Sequence, residues 1–281
     1  MMSEKLNYLN VGCGKKYHKK WFNIDMVPAT SDVTRANLIK GIPFDDNQFE
    51  VVYHSQVLEH IPKEDALKFI KECFRILKDG GILRVVVPDL ENIISEYLKS
   101  LNKLNSDPDE HTEANYDWIM LELFDQVVRT DSGGLMSKYL EQKHLINEKY
   151  VIERIGFVGH HAREKSLSGE KQSAVETIKR KLDELGAIAL FKELFRLIKN
   201  KILNTLLGKK YRIGNFRMGG EIHQWMYDKY SLTRLLKNAG FHDIKVRNAF
   251  ESDIPDWDKY ELDVKDGMVY DPTSLFIEAK K

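Results

Sequence analysis

Cysteine is scarce in this chain of 281 residues: Cys13 and Cys73 are its only two. Two distant thiols supply no disulfide framework and no metal-ligand spacing, which fits a reducing, cytoplasmic setting. Net charge is missing as well, since 43 Lys and Arg cancel 43 Asp and Glu. A balanced chain makes no global field that recruits nucleic acid, so no nucleic-acid partner is expected. Long apolar runs are also absent, none approaching the roughly 18 residues that a membrane span needs. The opening MMSEKLNYLN has no apolar segment of the length a signal peptide uses. What the chain does have is 42% apolar residues, enough for one large core or a core with an insertion.

Strand and helix signals alternate over the first hundred residues. Candidate strands are Leu6 to Val11, Trp21 to Asp25, a short Asp32 to Asn37, Phe49 to Ser55 and Ile82 to Pro88. The clearest helix runs from Lys63 to Lys78, with Pro62 at its start and Asp79-Gly80-Gly81 at its stop. Alternation of this kind implies parallel pairing in a doubly wound α/β sheet. From about Leu90 to Gly220 the pattern turns to long helical stretches, an insertion carried by loops of a sheet already formed. The α/β signal returns with a helix at Tyr230 to Ala239 and strands at His242 to Phe250 and Ser274 to Ala279.

The stretch YLNVGCGKKY carries the first functional signal. An apolar run ending at Gly12 and Gly14 is how a buried strand turns beneath a nucleotide, since residues without a Cβ let the backbone approach a ligand. A dinucleotide fingerprint would add a third glycine, a full helix and an acid about 20 residues on. Here Tyr17 stands at the third position, and Lys15 to Lys20 leave room for about one helical turn before Asp25. A ligand with an adenosyl group and no phosphates suits so cramped a crossover. S-adenosylmethionine is such a ligand.

Four segments in order, YLNVGCG, NID, GIPFDDNQFEVVYHSQVLEHI and FRILKDGGILRVVVPD, resemble the class I S-adenosylmethionine-dependent methyltransferases, specifically the methyltransferase-11-like group. The resemblance covers residues 5 to 89, and LLKNAGF with its following strand extends it to the end. It implies a Rossmann-like, seven-stranded, mostly parallel sheet, with 1–281 as a single domain. In that reading 90–220 is a helical insertion over the active site, and 221–281 completes the sheet. It also implies S-adenosyl-L-methionine as cofactor. Gly12, Cys13 and Gly14 would then line its methionine and ribose, and Asp25 would accept both ribose hydroxyls. Met26 would lie on the adenine, Asn37 and Leu38 would read the adenine edge, and Ser55, Gln56 and Val57 would pass the methionine moiety. Asn10 stands where the family usually has an acid near the methionine ammonium.

Methyl transfer requires alignment of nucleophile, methyl and sulfur, and a hydroxyl nucleophile also requires a base. His60 and Glu59, just past the fourth strand, are one candidate pair, with roles in catalysis, in the cofactor pocket or in acceptor binding. Glu122, Asp125 and Arg129 fall at i, i+3 and i+7 on one helical face, suited to a sugar or carboxylate or to an internal salt bridge. His223, Trp225 and Tyr227 gather polar and aromatic groups suited to a saccharide, or else to anchoring a core. The catalytic expectation rests on His60, His223 and Asp125, and the acceptor-binding one on Glu59, Glu122, Arg129, Trp225 and Tyr227. No metal ligands are expected, because His160-His161 lacks a partner at metal spacing.

Residues 187–207 combine an apolar stripe with a basic excess, the pattern of a helix in a membrane interface and, more commonly, of one packed on a core or a homodimer partner. The expected function is methylation of a hydroxyl on a saccharide or saccharide-bearing small molecule, as in polysaccharide biosynthesis. The alternatives are a lipid-like acceptor and a non-catalytic cofactor-binding scaffold. The expected location is the cytoplasm, or the inner face of the membrane if 187–207 binds it.

Overall fold

The computed structural model describes residues 6–28, 30–168 and 187–281. One sheet holds β1 (Tyr8–Val11), β2 (Phe22–Asp25), β3 (Thr34–Arg35), β4 (Phe49–Ser55), β5 (Leu77–Pro88), β6 (His242–Arg247) and β9 (Ser274–Lys280). Two short strands, β7 (Val264–Lys265) and β8 (Met268–Val269), pair separately as a hairpin. In space the sheet runs β3-β2-β1-β4-β5-β9-β6. β9 is antiparallel to β5 and β6, and the other neighbours are parallel. Strand order therefore reverses between β1 and β4, and in an open sheet ligands bind at the carboxyl ends of such a pair.

Side-chain alternation explains why the central strands are buried on both faces. Val52 of β4, Leu83, Val85 and Val87 of β5, and Leu275, Ile277 and Ala279 of β9 face one core. Val51, Tyr53, Val86 and Phe276 face another. Helix α1 (Lys63–Ile76) covers the first face with Phe69, Ile70, Cys73 and Ile76, beside Leu232 and Leu236 of the helix Lys229–Ala239. Asp79, Gly80 and Gly81 do not end that helix in a loop, as their sequence suggests. Helix gives way directly to strand at Leu77, which pairs with Phe49 through a bulge.

The second face is packed by aromatic rings. Trp21, from the short crossover, meets Tyr8, Tyr53, Trp257 and Tyr260 at centroid distances of 5.0 to 6.3 Å. Residues 12–21 form turns with no helix, so the C-terminal segment around Trp257–Tyr260 fills the space beside them. Buried Arg84 pins that segment: its guanidinium lies 2.7 Å from both Asp263 and Glu278 and donates to the Asn248 and Glu251 carbonyls.

Between β5 and the returning sheet lie α2 (Leu90–Ser106), α3 (Glu110–Val128), α4 (Gly134–Leu140), α5 (Glu148–Ser168, kinked at Gly156) and α6 (Ala187–Arg217, bent at Gly208). The helix Lys229–Ala239 follows as α7. Asp89 and Asp109 cap α2 and α3, each accepting an amide of the first turn. Among the described residues no helix is long and apolar enough to cross a membrane.

Candidate active site

At the end of β1 the backbone enters the left-handed region at Gly12 (φ 67°) and Gly14 (φ 53°). The Gly12 and Cys13 amides both donate to the Ile24 carbonyl, which ties the turn to β2. A Cβ on Gly12 would stand 2.5 Å from Val57, whereas one on Gly14 would meet nothing within 4 Å. Asp25 closes the far side: its Oδ2 accepts the Gly14 amide at 2.9 Å and its Oδ1 the Val27 amide at 2.8 Å. Met26 and Val27 are exposed next to it. Cys13 is buried, and that burial pushes its thiol up to about 12, so it is no nucleophile at neutral pH.

Asn10 is buried, and its side-chain amide donates to the Lys16 carbonyl. Lys16 itself was not singled out in the sequence, yet its ammonium donates to Ser55 Oγ at 2.9 Å and sits 4.9 Å from the Tyr270 ring. Burial lowers its pKa against the opposing pull of Asp263 and Asp271. A lysine among lysines, in KKYHKK, gives no signal that one of them turns inward. Gln56 adopts φ 57°, and its side chain donates to Ser274 Oγ. Asn37 caps the turn Leu38–Lys40 by accepting the Ile39 amide, with Leu38 packed on the first core. Thus Gly12, Gly14, Asp25, Ser55, Gln56 and Val57 gather at the β1/β4 switch point.

Beyond β4, the short turn Leu58–His60 sets two further groups beside that point. Glu59 is fully buried, and neither carboxylate oxygen has a hydrogen-bond partner. Desolvation pushes it up to about 8. The Glu59 carbonyl accepts the amides of Gln224 and Trp225, and the His223 amide donates to the Gln126 carbonyl. These bonds carry His223 across from a remote part of the chain, until its ring lies 4.9 Å from that of His60. His60 Nδ1 contacts the Ile222 carbonyl at 3.0 Å, which makes Nδ1 the protonated nitrogen and leaves a lone pair on Nε2. Burial lowers both imidazoles, His223 to about 3, so both are neutral at pH 7.

The helical-face triad does not converge on this point as a set. Glu122 is buried and takes Arg154 at 2.5 and 2.7 Å together with the Trp118 indole. Asp125, expected as a catalytic group, instead accepts the amides of Leu135 and Met136 and so holds the start of α4. Arg129 leaves the helix with extended ψ and approaches Glu221 at 3.6 Å. Tyr227 is buried with an unpartnered hydroxyl, pushed up to about 12 by desolvation and then by Glu59.

Two cavities adjoin these groups. The larger, about 650 Å³, is walled by Leu90, Ile94, Met120, Leu123, Phe124, Trp225 and Met226. The smaller, about 80 Å³, reaches Gln56, Glu122, Gln126, Arg154, Asp271 and Ser274, and Met226 lines both. Trp225 is half-open, with the Lys63 ammonium 3.7 Å over its ring.

Residues 9–85 match the family model described as a methyltransferase domain. A protein of Haemophilus influenzae, described only as uncharacterized, is 36% identical over 75 residues, 25% of this chain and 30% of that one. A probable S-adenosylmethionine-dependent methyltransferase of Mycolicibacterium smegmatis is 38% identical over 58 residues, 21% of each chain. The chain thus spans under a third of the length of these curated relatives. Among solved structures, a SAM-dependent methyltransferase from Archaeoglobus fulgidus aligns over 100% of this chain and 87% of its own, at 12% identity and a TM-score of 0.37.

Proposed function

We propose that this chain, whose residues 9–85 match the methyltransferase-domain model, is a class I S-adenosylmethionine-dependent methyltransferase that methylates a hydroxyl on an acceptor with an apolar body. The cofactor of that family is S-adenosyl-L-methionine, and the switch point fits it. Each Asp25 oxygen holds one amide and keeps a further lone pair, which suits two vicinal ribose hydroxyls. The space over Gly14 is open to a close-lying ligand, and Met26 and Val27 offer an exposed apolar wall for a base. Bound there, the group supplies a methyl already activated on a sulfonium. The chain's own task is alignment and removal of the acceptor proton.

Met226 carries the acceptor reading, because it lines both an apolar cavity of about 650 Å³ and a small one that reaches the polar groups of Gln56, Glu122, Gln126 and Arg154. An apolar body in the first would present a polar head to the second, beside Gln56 and Gln126, whose carbonyl accepts the His223 amide. A purely saccharide acceptor has less support: Tyr227 and His223 are buried, and Trp225 lines the apolar wall. A lipid-like molecule with a hydroxylated, sugar-like head satisfies both features. Exposed Phe195, Ile198, Leu206 and Leu207 on α6, near Lys199, Lys209 and Lys210, support peripheral contact with the membrane that would hold such an acceptor.

Calorimetry with S-adenosylhomocysteine tests the cofactor half of the proposal. Asp25→Ala should weaken binding at least about 10-fold, as loss of hydrogen bonds to a charged group implies. Unchanged affinity would overturn it. Transfer of labelled methyl to hydroxylated amphiphiles, but not to free oligosaccharides, is the expected acceptor result. The reverse preference would refute the apolar-body reading, and flotation with anionic vesicles tests membrane contact.

A further inference from the structure

Glu59 poses a physical problem that the reaction above does not solve. A carboxyl group with no exposed surface and two orphaned oxygens is unfavourable, in either protonation state, unless a partner completes it. Two imidazoles lie close to it. One ligand atom from each of Glu59, His60 and His223 lies within 4.8 Å of the other two. Three atoms so spaced stand at most about 2.8 Å from a common centre, so an inward shift of about 0.7 Å each reaches the 2.0–2.2 Å bonds of a tetrahedral ion. His60 Nε2 is already 3.9 Å from Glu59 Oε1.

We propose that Glu59, His60 and His223 form a binding site for one divalent transition-metal cation of the zinc class. Two imidazole nitrogens and one carboxylate oxygen are the donor set of zinc sites that keep a fourth position open, and they are too few oxygens for calcium or magnesium. The outer shell is in place. The Ile222 carbonyl accepts from His60 Nδ1 and so aims the Nε2 lone pair inward, as ligating histidines require. The bonds from Gln224 and Trp225 to the Glu59 carbonyl, and from His223 to that of Gln126, fix the backbone of the third ligand against the first two.

The open position would take the acceptor hydroxyl. That step rests on the methyltransferase reading: an ion held there would lower the pKa of the hydroxyl so that its proton passes to solvent, and the oxygen would then form the new bond to the methyl carbon while the carbon–sulfur bond breaks. Metal binding itself does not depend on that reading.

The test uses the full chain stripped with a chelator and titrated with Co²⁺, whose visible spectrum reports tetrahedral nitrogen and oxygen ligation, and with Zn²⁺ against a chromophoric competitor. One ion per chain is expected. Glu59→Gln and His223→Asn should each weaken binding at least about 100-fold, more than the loss of an outer-shell partner costs. Exposed His160 and His161 provide the control, and their double alanine variant should bind as the parent does. S-adenosylhomocysteine affinity, measured on the same samples, separates this site from the cofactor site and reports folding. Should Glu59→Gln fail to fold, His223→Asn alone carries the result. No bound ion in the parent, or binding that persists in folded Glu59→Gln or His223→Asn, overturns the proposal.

Discussion

Gly12 and Gly14 share a left-handed backbone but face different surroundings, so alanine at each position should fail differently. Either substitution places a Cβ at positive φ, which costs about 1 to 2 kcal/mol. At Gly12 the new methyl also meets Val57 Cγ2 at 2.5 Å and Cγ1 at 3.2 Å. Val57 is a buried, β-branched side chain, so turning it aside adds about 1 to 3 kcal/mol of overpacking. Gly12→Ala should therefore lose about 2 to 5 kcal/mol of stability, or about 4 to 10 °C in Tm for a chain of this size. Gly14→Ala meets no protein atom and should lose only about 2 to 4 °C. Its methyl projects instead into the space assigned to the cofactor. Overpacking of about 1 to 3 kcal/mol there would weaken S-adenosylhomocysteine about 5- to 150-fold. Thermal melting and calorimetry on both variants check the pair. Gly14→Ala binding within twofold of the parent would refute the assignment of that open space.

His54 is fully buried with neither ring nitrogen partnered, and burial lowers its pKa to about 3. Its folded value lies below the unfolded one of about 6.5, so below pH 6.5 the unfolded chain binds a proton that the folded chain refuses. Its contribution to stability should fall by about 1.4 kcal/mol per pH unit, or about 2 to 3 kcal/mol by pH 4.5. The difference in unfolding free energy between His54→Leu and the parent should grow by that amount as the pH falls, and parallel denaturant profiles would sink the argument. Glu122→Gln leaves the Arg154 guanidinium buried without its counter-ion and should cost about 3 to 5 kcal/mol, measured by urea unfolding. A loss under 1 kcal/mol would mean that Arg154 finds another partner. Filling the larger cavity with Leu123→Trp should raise KM for the acceptor and leave S-adenosylhomocysteine affinity unchanged.

The legible part of the site is the part whose partners are close in sequence. Gly12, Gly14 and Asp25 lie within one crossover, and their spacing alone places the carboxylate against the turn. His223 could be chosen only as a polar residue beside aromatics. Its approach to Glu59 and His60 depends on bonds from residues 223–225 to the Glu59 and Gln126 carbonyls, which no local pattern encodes. Helical periodicity puts Glu122, Asp125 and Arg129 on one face, but it says nothing of Arg154 or of the α4 amides that occupy the two acids. The internal salt bridge that this spacing also allows, Asp125 with Arg129, presumes that the helix continues. It stops at Val128, and the extended ψ of Arg129 turns the guanidinium toward Glu221. The two-residue strands β7 and β8 are too short for a period of two to be read at all.

The short first crossover has a structural consequence that joins fold to site. With turns instead of a helix over residues 12–21, the second face of β1 and β4 would leave Tyr8, Trp21 and Tyr53 uncovered. Burying those rings is worth several kcal/mol, so some other part of the chain must pack there. Trp257 and Tyr260 do so, and the Arg84 network with Asp263 and Glu278 fixes the segment that carries them. The same stretch continues to Tyr270, which faces the Lys16 ammonium, and to Ser274, which accepts from Gln56. Lys16 and Gln56 flank the switch point from β1 and β4. The C-terminal fifth of the chain therefore does more than complete the sheet: it packs where a crossover helix would lie and supplies contacts on both sides of the switch point.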